Sequence, residues 1–177
     1  MKKNQKFDSP IITPTTKADY GEHDEAISKE EIIAGLVDKD IYEKAENYAM
    51  KLFSEGQKWA NGRGLILVDT KYEFGMIGDE LYVIDEIHTP DSSRYWISSE
   101  YESRFSNEEN QLMLDKENIR QWLINKGFSG EGTPPPLDDD IRILLSEKYI
   151  ELYKILTNTE FKPEAGDVSH RISNNLQ

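Results

Sequence analysis

The residues from Gly64 to Trp96, GLILVDTKYEFGMIGDELYVIDEIHTPDSSRYW, constrain the fold more than any other stretch. Leu65-Ile66-Leu67-Val68 is an apolar run too short for a helix and rich in β-formers. Alternation follows, with Asp69, Lys71 and Glu73 on one face and Thr70, Tyr72 and Phe74 on the other. Turn chemistry lies at Gly75 to Asp79, and Leu81-Tyr82-Val83-Ile84 returns as a second strand. The pattern predicts a β-hairpin over 65–86, ending in Asp85-Glu86 and followed by Thr89-Pro90-Asp91-Ser92-Ser93-Arg94.

Three readings of that hairpin fit its pattern. Asp69, Lys71 and Glu73 are the solvated face of an antiparallel sheet, as in most alternating strands. Alternatively, a turn over 77–80 sets Glu73 nearly opposite Asp85. Such a pair of carboxylates repels unless a cation lies between them, and hard oxygens beside substrate phosphates suit Mg²⁺. In the third reading, Lys71 neutralises its neighbours in a surface ion-pair ladder. Periodicity does not choose among them.

Elsewhere the chain reads as helix and loop. Residues 1–27 are an extended entry segment, since Pro10 and Pro14 forbid helix. Thr13-Pro14-Thr15-Thr16-Lys17 and the turn at Gly21 to Asp24 read as polar surface connection. Ser28 with Glu31 forms a capping-box pattern that opens a short helix ending near Gly35. Asp38 or Asp40 starts a longer one, in which Ile41, Ala45, Tyr48, Ala49, Leu52 and Phe53 recur at helical spacing until Asn61-Gly62. That apolar stripe is expected to pack on the back of the hairpin. Ser98 to Asn107 reads as loop. A helix starts at Asp115 and ends at Gly127, and Gly130 to Pro136 is a linker with polyproline character. Asp138 caps a final long helix, and Asp167 to Leu176 is a last amphipathic turn or two. The fold class is therefore α+β: a small antiparallel sheet centred on the 65–86 hairpin, with several helices packed on it.

The words LVDTKYEFG and DEIHTPDSSRYW, preceded by ITPTTKADYGEHDEAIS, occur in the order found in the SAICAR synthetase family, which this chain resembles from about Phe7 to its C-terminus. The resemblance implies the C-terminal part of an ATP-dependent ligase that joins L-aspartate to carboxyaminoimidazole ribotide (CAIR) in purine synthesis. It implies residues 28–177 as a substrate- and metal-binding domain, without the family's Gly-rich N-terminal ATP lobe. It implies Glu73 and Asp85 as the acidic positions at Mg²⁺ and the ATP phosphates, and Lys71 as stabiliser of the transferring phosphoryl group or substrate carboxylate. Asp69, Ser93 and Arg94 match positions that receive the ribotide, with Arg94 as a forked phosphate donor. Lys17, His23 and Asp24 become further substrate-site candidates, and Asp91 serves either the site or its own turn. ATP and Mg²⁺ are the expected cofactors, and an isolated half of the site is expected to be inactive. The rival class is a non-catalytic binding or regulatory module that retains half of an anion site.

Charge and cysteine content limit the partners. The 34 Asp and Glu outweigh 21 Lys and Arg for a formal charge of −13, which disfavours nucleic acid and anionic membrane surfaces. Phosphate- and carboxylate-bearing substrates must then be received by a few specific cations, of which the motifs offer Lys17, Lys71 and Arg94. There is no cysteine, so a thiolate nucleophile and a Cys-based zinc site are excluded. No apolar run approaches the ~18 residues of a membrane span, and MKKNQKFDSP lacks the apolar core of a signal peptide. A cytoplasmic location, partnership with the family's N-terminal lobe, and self-association through open sheet edges are the remaining expectations.

Overall fold

The computed structural model describes residues 2–18, 23–130, 132–163 and 165–176. Two residues of the expected turn, Gly21 and Glu22, and Glu131 of the linker lie outside them. Among the described residues the order is α1 (Lys29–Ile33), α2 (Lys39–Asn61), β1 (Leu65–Thr70), β2 (Glu73–Ile77), β3 (Glu80–Ile84), β4 (Ser93–Ile97), a 3-10 turn (Ser98–Glu100), α3 (Tyr101–Ser106), α4 (Glu117–Asn125), α5 (Asp139–Thr157) and α6 (Val168–Asn175). This is an α+β arrangement.

Local chemistry sets most of the boundaries. Ser28 Oγ accepts from the Glu31 amide while Glu31 accepts from the Ser28 amide, which completes the capping box of α1. Asp38 accepts from the amides of Asp40 and Ile41 at the start of α2, and Asp138 accepts from Ile141 at the start of α5. Gly62 ends α2, and two residues later Gly64 adopts φ +74° to turn the chain into β1.

The pairing corrects the single 65–86 hairpin. β1 pairs antiparallel with β4, Leu67 facing Tyr95 and Asp69 facing Arg94, with a bulge between Leu67 and Asp69. The hairpin proper is β2–β3, in which Glu73 faces Ile84 and Ile77 faces Glu80 across Gly78-Asp79. Two separate two-stranded sheets result. Alternation through Asp69, Lys71 and Glu73 is interrupted, because Lys71 and Tyr72 belong to neither strand. The physical reason is the bulge at Val68, which shifts the alternation and twists β1; its ladder runs on to Thr70–Ser93 and stops there before β2 begins. Lys71 instead donates its amide to Ser92 O at 3.0 Å. Ser98 to Asn107, read as loop, contains the 3-10 turn and α3, with Trp96, Tyr101 and Phe105 stacked in series.

The core sits where α2 crosses β1. Ala60, Leu65, Leu67, Tyr95, Leu114 and Leu152 form one buried cluster, flanked by Phe53, Ile97, Ile155 and Leu156. Burying each of the leucines contributes about 1.5–3 kcal/mol. The alternate residues of β1 and the long α5 thus anchor the sheet from which the site residues project.

Candidate functional site

Two charged groupings occupy the ends of the strands. In the first, Glu73 at the start of β2 accepts from two lysines: Lys17 Nζ lies 2.5 Å from Oε2 and Lys71 Nζ 3.1 Å from Oε1. Lys71 also reaches Asp24 Oδ2 at 3.0 Å, and Asp24 in turn accepts the Ala18 amide. An isolated bridge between Thr15 and Ala26 folds the entry segment back on itself, and the Lys17–Glu73 and Lys71–Asp24 pairs bring it to the strands. The result is a chain of alternating charge, Lys17–Glu73–Lys71–Asp24, built from three separate parts of the sequence. Glu73 is the least exposed member, at 17% of its side chain.

Each member shifts the others. Hydrogen bonds from Lys17 and Lys71 hold the Glu73 carboxyl below its usual range. The Ala18 amide and Lys71 do the same to Asp24. Lys17 and Lys71 are correspondingly pushed up, Lys17 chiefly by Glu73 and Lys71 chiefly by Asp24. Asp85, just past β3 with φ +68°, adds its field at Lys17.

The second grouping belongs to β1–β4. Asp69 and Arg94 face one another across the ladder in a forked ion pair, with Arg94 Nε donating to Oδ1 at 2.9 Å and Nη2 to Oδ2. Both side chains remain nearly half exposed, so this fork is presented to solvent. Beside it Ser93 is buried and donates to Thr70 Oγ1 at 2.9 Å. Asp91 is exposed and pairs with Lys116 at 3.4 Å.

The sequence-expected residues therefore separate. Lys17, Asp24, Lys71 and Glu73 are joined directly, with Asp85 beside them. Asp69 and Arg94 pair with each other, and Ser93 underlies them. His23 is exposed and takes no part in either grouping.

Two features have structural roles that the sequence reading did not give. Asp115, read only as a helix start, is fully buried and accepts the amides of Tyr95 and Glu117, each at 2.8 Å. It ties the start of α4 to the strand that carries Arg94, and burial pushes its carboxyl up. Its position before Glu117 signals a cap; its contact with Tyr95 has no local signature. The second feature is the segment from Asp85 to Ser92, folded on itself by a Thr89–Glu86 hydrogen bond and by Thr89 Oγ1 accepting the Ser92 amide.

Among the described residues no group of three or more His, Cys, Asp and Glu could hold a metal ion. Among the described residues no helix is long and apolar enough to cross a membrane.

The model of the SAICAR synthetase family matches residues 1–135. The chain is 50% identical over 181 residues to the phosphoribosylaminoimidazole-succinocarboxamide synthase of Azobacteroides pseudotrichonymphae, covering all of this chain and 56% of that protein. Identity to the synthase of Cytophaga hutchinsonii is 51%, covering 99% of this chain and 58% of the relative. The SAICAR synthase of Saccharomyces cerevisiae, solved with SAICAR, superposes with a TM-score of 0.72 at 34% identity over 90% of this chain and 50% of that one. A SAICAR synthetase solved with ADP gives 0.62 at 25% identity, over 89% and 55%. The chain spans a little over half the length of the curated relatives it matches.

Proposed function

The chain belongs to the SAICAR synthetase family, and from that premise we propose that it forms the C-terminal, substrate- and metal-binding part of a ligase that condenses L-aspartate with CAIR. The observation that carries this reading is the pairing of two charged groupings on the family's own motif residues. Glu73, Lys71 and Lys17 form one, and the exposed Asp69–Arg94 fork forms the other. The relatives' solved complexes with SAICAR and with ADP support the same ligand classes.

Amide formation needs an activated carboxylate, because carboxylate oxygen is a poor leaving group. In the proposed reaction a CAIR carboxylate oxygen attacks the γ-phosphorus of ATP and ADP leaves. The aspartate amine then attacks the acyl phosphate, loses a proton, and phosphate departs. Lys71 and Lys17 neutralise oxygens of the transferring group, a task suited to preorganised cations in a partly closed site. Arg94 presents two parallel N–H donors to the ribotide phosphate once Asp69 yields the fork, and Asp69 then receives the ribose side of the ligand. Ser93 underlies the fork and would donate its hydroxyl to the ligand only by giving up its bond to Thr70 Oγ1.

Glu73 and Asp85 suit a divalent ion. Both are hard-oxygen donors near one end of the β2–β3 hairpin, and the Lys17 ammonium already stands as a cation under the influence of both. Two carboxylates are a set that Mg²⁺ completes with phosphate oxygens and water. When bound, the ion would offset charge on the polyphosphate. Adenine recognition falls to the part of the family's length that this chain does not span, so the chain alone binds nucleotide weakly and turns over only with that part. Both steps are placed in the cytoplasm.

The test is an assay of the purified chain with aspartate, ATP, Mg²⁺ and CAIR, alone and with a separately expressed N-terminal lobe of a family member. SAICAR formed only with the added lobe supports the reading. Turnover by the chain alone shows that the nucleotide grip is wrongly placed. A folded protein that stays silent in both mixtures and fails to bind SAICAR overturns it in favour of a non-catalytic module.

A further inference from the structure

His88 lies in the middle of the segment joining β3 to β4, between the two charged groupings, and belongs to neither. Its backbone is left-handed, φ +58°, as is that of Asp85 three residues earlier. For residues other than glycine such a conformation costs of order 1 kcal/mol or more and persists only where the surroundings impose it.

The surroundings here come from three directions. From α2, Gly56 meets the ring so closely that an added Cβ would fall against His88 Cε1, 2.7 Å from Nε2 and 2.8 Å from Leu67 Cδ2. Only glycine lets the helix backbone serve as the seat of the ring, although alanine in a helix is otherwise favoured. From the junction between the two sheets, the Tyr72 hydroxyl lies 2.5 Å from His88 Nε2, with the rings edge to face. From β4, the Tyr95 hydroxyl donates to the His88 carbonyl at 2.8 Å. Helix, sheet junction and strand thus converge on one residue.

We propose that His88 is a positioning residue: seated on Gly56 and held by Tyr72 and Tyr95, it fixes the 85–94 segment so that Asp85 and Arg94 are presented in register to an anionic substrate. This rests on the function proposed above for those two residues. The latch accounts for three observations at once: a glycine in mid-helix, a tyrosine in the break between strands, and a histidine outside both charged groupings. Its reach is set by the backbone bonds that flank it. Lys71 donates to Ser92 O at 3.0 Å and Ser93 donates to Thr89 O at 3.0 Å, so a loosened His88 frees the chain on both sides of the site.

The experiment is residue-resolved amide exchange on the full chain, without ligand, for wild type, G56A, H88A, Y72F and the double variant G56A/H88A. The latch predicts that the Lys71 and Ser93 amides exchange about tenfold faster or more in each single variant through local opening. Ile97 and Leu114, whose amides bond to Leu112 and Tyr95 on the core side, keep their protection. At Lys71 and Ser93 G56A adds little to H88A, because the ring it would strike is gone and only its contact with Leu67 Cδ2 remains. Unchanged Lys71 and Ser93 exchange in H88A and Y72F overturns the proposal. In H88A or Y72F a uniform rise that includes Ile97 and Leu114 also overturns it, by reducing His88 to packing. Should H88A fail to fold, Y72F, which keeps the ring volume, decides alone. No ligand enters this measurement, so its failure sinks the latch and leaves the assay of the ligase reading untouched.

Discussion

Lys17 and Glu73 are 56 residues apart in sequence, and their ammonium and carboxylate meet at 2.5 Å. The contact brings the entry segment to the first residue of the β2–β3 hairpin, where Lys71 already holds the other carboxylate oxygen. Lys17 is three-quarters exposed and Glu73 is not, so the lysine is the member that a ligand can displace. Replacing Lys17 by methionine is expected to leave the thermal unfolding midpoint essentially unchanged, as for exposed ion pairs. In the reconstituted enzyme it should slow turnover more than tenfold. Circular dichroism melts and initial rates, read on the same preparation, check both halves of the expectation.

The same grouping gives stability a definite pH dependence. Glu73 and Asp24 have folded-state pKa values depressed below 4.5 and 3.8, by Lys17 and by the Ala18 amide respectively. Their contribution is therefore fully present above those unfolded values and lost as pH falls through the lower folded ones. Lys17 and Lys71 are raised above 10.5, so theirs is present below that pH and lost as the solution becomes more alkaline. Urea midpoints recorded from pH 2 to 12 should fall at both ends. In E73Q the fall on the acid side should be shallower; an acid limb identical to wild type would assign it to other carboxylates.

Arg94 separates affinity from stability. Its fork on Asp69 is nearly half exposed, so R94K should change unfolding free energy by less than about 1 kcal/mol. Lysine cannot reproduce the two parallel donors. Titration calorimetry with SAICAR is expected to show binding weakened tenfold or more, and equal affinity for both proteins would remove Arg94 from the ribotide site.

Asp115 predicts the reverse. Alanine in its place leaves the buried Tyr95 amide and the Glu117 amide without an acceptor. Each orphaned donor costs about 1–3 kcal/mol, so D115A should lower the unfolding free energy by about 2–5 kcal/mol. D115N keeps one acceptor and should fall between. Chemical denaturation of the two variants side by side would show whether that order holds.

Much of this was legible in the sequence where the signals are local. Ser28 and Glu31, Asp38, Gly62 and Asp138 mark helix ends because a cap acts within three residues of itself. The tight turn at Gly78-Asp79 was visible for the same reason, and it places Glu73 opposite Ile84, one residue from Asp85. The partner of Leu65–Thr70 was not visible, because the residues after it continue an alternating pattern through the break at Lys71-Tyr72. A bulge at Val68 leaves no mark on hydropathy. The lysine pairings on Glu73, the burial of Asp115 and the seat of His88 on Gly56 all depend on segments brought together only by the finished fold. Resemblance named Lys17, Lys71, Glu73 and Arg94; it could not say that Lys17 and Lys71 would share one carboxylate while Arg94 stood apart with Asp69.

The nesting of one strand pair inside the other has a consequence for the order of assembly. β2 and β3 are joined by a two-residue turn and can pair within microseconds, as local hairpins do. β1 and β4 must instead close a loop running over 71–92. Once the inner hairpin has formed, the stretch left free between the outer strands is roughly halved, which lowers the entropic cost of closing it by about 0.6 kcal/mol. The faster element thus shortens the search of the slower one, and the outer pair of strands, which carries Asp69 and Arg94, closes around it.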